Sequence, residues 1–142
     1  MSFLTIDEWV SELVVIPEGE FTIPRMQDFI GTKAIHPETL APHVFYAKSH
    51  YTRNLIYSSD LFEVLAICWD IGQVNPPHDH GGQNCWMVTP IGRLRVQNFR
   101  VEMRDPAQNA CRLITSNSFD MDAEHRALVE PDDAVHQVFE SS

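Results

Sequence analysis

Long apolar runs are missing from this 142-residue chain, so nothing in it reads as a bilayer-spanning helix, which needs about 20 consecutive apolar residues. Basic residues are scarce: 10 Lys and Arg stand against 20 Asp and Glu, a formal net charge of −10. That balance argues against nucleic acid and anionic membrane surfaces as partners, because both repel an acidic protein. The first residues, Met1-Ser2-Phe3-Leu4-Thr5-Ile6-Asp7-Glu8, lack the basic start of a secretory signal, so a cytoplasmic address is expected. Cysteine is sparse and odd in number. Cys68, Cys85 and Cys111 fall at no paired spacing, which argues against a disulfide framework. No internal repeat and no low-complexity segment is found. The length suits one core, and a monomeric single domain over residues 1–142 is expected.

What is present begins with helical signals. Thr5-Ile6-Asp7-Glu8 is a capping box, and Trp9, Leu13 and Ile16 continue at helical spacing up to Pro17, which predicts an amphipathic helix over residues 5–15. A second helix is expected from Thr22-Ile23-Pro24, with Ile23, Met26, Phe29 and Ile30 as its apolar stripe and Gly31 as its stop. From Tyr51 onward the pattern changes to strands. Tyr51 to Tyr57 and Leu61 to Trp69 flank a Ser58-Ser59-Asp60 turn, and the nearly all-apolar run Val64 to Trp69 predicts a strand buried on both faces. The expected organisation is a helical region over about residues 1–43 followed by β structure over about 44–142.

The densest chemistry lies between Gly72 and Gly92, which read Gly-x5-His-x-His-x4-Cys-x6-Gly. In an extended strand His78 and His80 point to one side and Asp79 to the other, so two imidazoles converge. Asn75-Pro76-Pro77 offers no N–H at either proline and acts as a stiff approach to His78. Gly81-Gly82 reads as a bend, and Cys85 to Val88, a Pro90-Ile91-Gly92 turn and Arg93 to Phe99 predict a hairpin with the histidines near its open end. A second cluster, Pro131-Asp132-Asp133-Ala134-Val135-His136, supplies a further imidazole. Three neutral imidazoles from two separate segments make a half-open shell for one metal ion that keeps free positions for ligands. His36, His43, His50 and His125 are expected at the surface or behind the site, with His125 the one rival to His136 as third ligand.

These two clusters resemble the paired motifs of the cupin barrel, with Cys85 where most cupins carry glutamate, Asp133 in place of a glycine and Glu140 in place of an asparagine. That resemblance implies an all-β, jelly-roll-like barrel behind N-terminal helices. Tyr51-Thr52-Arg53-Asn54-Leu55, Cys68-Trp69, His78-Asp79-His80 with Cys85, and Val135-His136-Gln137-Val138 together resemble the cysteine dioxygenase family of thiol dioxygenases over about residues 43–140. The resemblance implies a ferrous ion held by His78, His80 and His136, and oxidation of L-cysteine by dioxygen to cysteine sulfinate. It implies that Arg53 holds the substrate carboxylate, since a guanidinium offers a forked pair of donors and related mercaptopropionate dioxygenases carry glutamine there. Tyr51 would line the same pocket, and Trp69 and Cys85 would stand behind the ligands. In animal members Cys85's position is cross-linked to a tyrosine in a later Ser-x-His-x-Tyr segment, which this sequence does not contain.

Such a shell suits the reaction. Three neutral ligands leave the ion its full double charge, so an anionic thiolate is a favourable further ligand, and both oxygen atoms can end on sulfur without an external reductant. Because the chain stops soon after His136, the closing strands of the barrel are expected to be missing, leaving an open edge. Two alternatives stand beside the main reading: a dioxygenase of another thiol, such as 3-mercaptopropionate or cysteamine, and a catalytically silent metal-binding cupin. Imidazole shells also accept zinc, nickel and copper.

Overall fold

Local chemistry dictates the first elements of the computed structural model, which describes residues 2–78, 83–125, 127–128 and 135–140. Strand β1 (Ser2–Leu4) leads into helix α1 (Ile6–Val14). The Thr5 hydroxyl accepts from Glu8 N at 3.1 Å and Glu8 Oε1 accepts from Thr5 N at 3.0 Å, so two orphan amides at the helix start are satisfied reciprocally. Those hydrogen bonds from Thr5 also hold the Glu8 carboxyl below its ordinary range. Helix α2 (Ile23–Thr32) starts at Thr22, which accepts from Arg25 N at 3.3 Å, with Pro24 in the first turn where its missing N–H is harmless. Gly31 does not stop it. The helix runs through Gly31 and ends where Lys33 turns extended, because strand β2 (Lys33–Ile35) pairs in parallel with β1 through Ser2–Lys33, Phe3–Ala34 and Leu4–Ile35.

The chain divides into two compact units, Met1–Asp70 and Ile71–Ser142. In the first, the two helical stripes form the core: Ile6, Trp9 and Leu13 of α1 and Met26, Phe29 and Ile30 of α2 are buried, and Trp9 meets Phe29 edge-on at 5.2 Å. Each such side chain contributes about 1.5–3 kcal/mol by leaving water. Strands β3 (Thr52–Ser58) and β4 (Glu63–Cys68) form an antiparallel hairpin, and the Ser59 hydroxyl makes its turn by accepting from Leu61 N and Phe62 N. The apolar run in β4 is not buried on both faces as its composition predicts. Ile67 is 41% exposed and Leu55, on the same face of β3, is 58% exposed. Among the described residues β4 pairs only with β3, and a two-stranded ribbon cannot cover both of its own faces.

The second unit is built from strands β5 (Trp86–Met87), β6 (Leu94–Asp105), β7 (Ala110–Met121), β8 (Ala127–Leu128) and β9 (Val135–Glu140). The hairpin expected between residues 85–88 and 93–99 does not form. Although Gly92 turns at φ 75°, β5 pairs with β8, and β6 lies between β7 and β9. The physical reason is that β6 has a longer neighbour close in sequence. Pro106–Gln108 and Asn109, at φ 50°, fold β7 straight back along its whole length.

Strand β9 is paired on both edges. On one side it runs antiparallel to β6, from Leu94–Glu140 to Phe99–Val135, and on the other it takes residues 73–78. The second edge of β9 is thus met by the segment that precedes the first motif. Most of the regular structure is strand, as in the cupin fold.

Candidate metal centre

Two prolines decide how the first motif meets β9. Pro76 and Pro77 have no N–H to donate, so residues 73–78 cannot form an unbroken ladder. Glu140 N donates to Gln73 O at 3.0 Å, Val74 bridges Phe139, and Asn75 N donates to Val138 O at 3.2 Å. The buried Asn75 then supplies from its side chain what the prolines lack: Oδ1 accepts from Val138 N at 2.8 Å. Three residues, Asn75 to Pro77, stand opposite two, Gln137 and Val138, which is a bulge. Beyond it His78 and His136 close a hydrogen-bonded antiparallel pair, exchanging N–H···O bonds of 2.9 Å in both directions.

Directly opposed residues face the same side. The His78 and His136 rings accordingly lie edge-on to each other, 4.7 Å between centroids and 80° between planes. His136 is 1% exposed, on the face of β9 that also carries Val138 at 3% and is opposed on β6 by Val96 at 1%. Pro76 O sits 3.0 Å from His78 Nδ1; a carbonyl can only accept, so this contact puts the ring proton on Nδ1 and makes Nε2 the lone-pair nitrogen of the neutral ring. The His78 ring, met by Pro76 O, and the buried His136 ring come from two separate segments and are nitrogen donors of the kind a divalent transition ion takes.

The structure thus brings together two of the three expected histidines. His80 lies outside the described residues, as do Asp79, Gly81-Gly82 and Pro131 to Ala134 of the two motifs. Among the described residues no three His, Cys, Asp or Glu side chains gather within ligating reach, so Cys85 does not complete a set with His78 and His136. Cys85 is half-buried, and burial pushes its thiol above the ordinary range, which keeps it protonated at neutral pH. His125, the rival ligand, is tied into a turn of its own: Asp122 Oδ1 receives His125 Nδ1 at 2.9 Å and the N–H groups of His125 and Glu124 at 2.8 and 2.9 Å.

The remaining candidates belong to the first unit. Arg53 stands exposed on β3 opposite Ile67, and neither a hydrogen bond nor an ion pair engages its guanidinium among the described residues. Tyr51 precedes β3 rather than lying in it, stacked on Trp69 at 4.4 Å between centroids and flanked by the His50 ring at 4.0 Å. Sequence reasoning missed Asn75 as a structural clamp, although an asparagine before two prolines was a signal. It also missed Asn98, which lies opposite His136 on β6 and has no motif to announce it.

A strand-dominated, cupin-like architecture that opposes His78 and His136 across one bridge defines the class, that of cupin proteins. Within that class the family model of cysteine dioxygenase type I matches residues 25–141, and the chain belongs to that family. It is a cysteine dioxygenase-like non-haem iron oxygenase, a thiol dioxygenase by type. No curated protein matches the chain. Among the described residues no helix is long and apolar enough to cross a membrane.

Proposed function

We propose that this protein oxidises the thiol of L-cysteine with dioxygen to cysteine sulfinate at a ferrous ion held by His78, His80 and His136. The His78–His136 bridge supports this reading most directly, because it sets two imidazoles side by side with the His78 proton already committed to Pro76 O. Bound iron would supply a double positive charge that favours the thiolate over the thiol and a place where thiolate and dioxygen meet.

The chain's own residues do the rest. The Pro76 carbonyl holds the His78 ring, and the paired backbone bonds between His78 and His136 hold the two residues level, so little backbone reorganisation accompanies binding. Val96 and Val138, both buried, exclude water from the face behind His136. In this proposal Arg53 has the role that the resemblance to the family implies, receiving the substrate carboxylate in a two-pronged pair. Tyr51 and Trp69, stacked on each other, give that substrate an aromatic wall, and Cys85 stays a neutral thiol behind the ligands. The three cysteines are free, which suits a reducing compartment such as the cytoplasm.

The test is oxygen consumption by anaerobically iron-loaded protein on adding L-cysteine, with the product identified by mass. Uptake of one dioxygen per cysteine and a gain of two oxygen atoms on sulfur is expected; bound iron with no uptake would refute the reaction. Faster turnover of 3-mercaptopropionate or cysteamine would keep the dioxygenase and replace the substrate. Arg53→Ala should raise KM for cysteine by an amount worth about 2–5 kcal/mol, and an unchanged KM would remove Arg53 from the site.

A further inference from the structure

Beside the two histidines, β6 and β7 add a polar group that neither motif contains. Along β6 the residues that share a face with His136 and Val138 are Asn98 and Val96, since Asn98 opposes His136 and Val96 opposes Val138. Directly opposed Cβ atoms lie about 4.5–5.5 Å apart, so the Asn98 amide is an immediate neighbour of the His136 ring. Burial decreases outward on this face, from Val96 to half-buried Asn98 on β6 and from Met121 to exposed Asn117 on β7. His136 therefore stands where the apolar interior gives way to an accessible rim.

A bulge aims the next strand at the same place. The β6–β7 register passes from Gln97–Ser118 to Phe99–Thr115, so Ser116 and Asn117 together face Asn98. Asn117 Oδ1 receives both Asn98 Nδ2, at 3.1 Å, and Ser116 Oγ, at 3.4 Å. Gln97 Nε2 secures the bulge by donating to the carbonyls of Asn98 at 3.0 Å and Asn117 at 3.2 Å. In this arrangement Asn98 Nδ2 lies on the β7 side, donating to Asn117 Oδ1, and the Asn98 Oδ1 is left facing away from that bond. A fixed amide oxygen, an acceptor with no proton to give, is thereby set next to a candidate ligand.

We propose that Asn98 selects thiols that carry an amino group: its Oδ1 accepts a hydrogen bond from the amino nitrogen of the substrate, and Asn117 is the positioning residue that holds the amide for it. The proposal rests on the three-histidine reading above. It separates L-cysteine and cysteamine, which can donate from nitrogen, from 3-mercaptopropionate, which has no amino group to donate. Selectivity of this kind arises because a site built to pair a donor rejects the analogue that lacks one.

The experiment uses the full chain loaded with cobalt(II), whose visible absorption reports thiolate binding without turnover. In Asn98→Leu, which keeps the volume and removes the amide, cobalt stoichiometry should stay that of the wild type. The dissociation constants of L-cysteine and cysteamine should rise about tenfold, while that of 3-mercaptopropionate moves less than about twofold. Asn98→Asp restores an acceptor at the same place and should recover the preference for amino thiols, a rescue that a purely structural role would not give. Equal weakening of all three thiols, or no change in any, would overturn the proposal while leaving the metal site standing. A wild-type cobalt protein whose spectrum ignores all three thiols would overturn the site reading and this proposal with it.

Discussion

The buried polar residues among the described ones, Asn75, Thr89 and His136, all belong to the second unit, whereas the first buries Ile6, Trp9, Leu13, Ile16, Met26, Phe29, Ile30, Ile35, Leu40 and Cys68. The first unit follows the ordinary economy of a core, in which apolar area leaves water and nothing polar has to be matched. Its exception is Trp9, whose buried Nε1 finds no acceptor among the described residues. In the second unit buried Asn75 is paired with Val138 N–H and half-buried His78 with Pro76 O, while buried Thr89 Oγ1, like Trp9 Nε1, finds no hydrogen-bond partner among the described residues; a group buried unpaired costs about 1–3 kcal/mol. One half of the chain is shaped for stability and the other holds ionisable rings at the edge of its interior, where a metal can use them.

The sharpest way to break this contrast is His136→Ala. Adding a divalent transition ion should raise the melting temperature of the wild type, because binding favours the folded state, and the variant should show no rise and retain no iron. A full metal-dependent shift in the variant would remove His136 from the site. Next in size, Phe29→Ala should cost about 3–5 kcal/mol in urea unfolding, from lost burial and the cavity beneath Trp9. Its metal stoichiometry should be unchanged, and loss of the metal would erase the division of labour between the two units. Asn75→Ala should cost about 1–3 kcal/mol by leaving Val138 N–H without its side-chain acceptor, with faster hydrogen exchange at that amide and weaker metal binding. Unaltered exchange at Val138 would show that the clamp is dispensable. The smallest effect is expected at Thr5→Ala, about 0.5–2 kcal/mol from the lost cap, confined to the first unit and without consequence for the metal.

What was legible follows from how local each signal is. The capping box at Thr5 and Glu8 forms as written, since it depends on four consecutive residues, and the stripe through Met26, Phe29 and Ile30 packs as its period predicts. The end of α2 was misread because a glycine is only a permissive stop. Pairing of Lys33–Ile35 with β1, a contact between distant residues, decided the boundary. The misplaced hairpin has the same origin: apolar runs on either side of Pro90-Ile91-Gly92 suggest adjacent strands, but adjacency in sequence does not choose the partner once β7 can cover β6 from end to end.

At the site, the period-two spacing put His78 and His80 on one face, and the likeness of the proline-led second cluster to a cupin motif nominated His136 beside them. Family membership follows from that same order of residues over 25–141. Only the tertiary structure decided that His78 opposes His136 across one bridge, that a bulge at Asn75 to Pro77 brings them level, and that Asn98 and Asn117 complete the row on β6 and β7. The physical reason is register. A strand's period of two tells which residues share a face, but which residue stands opposite which is set by hydrogen bonds between segments far apart in sequence, and a single extra residue at a bulge shifts them all.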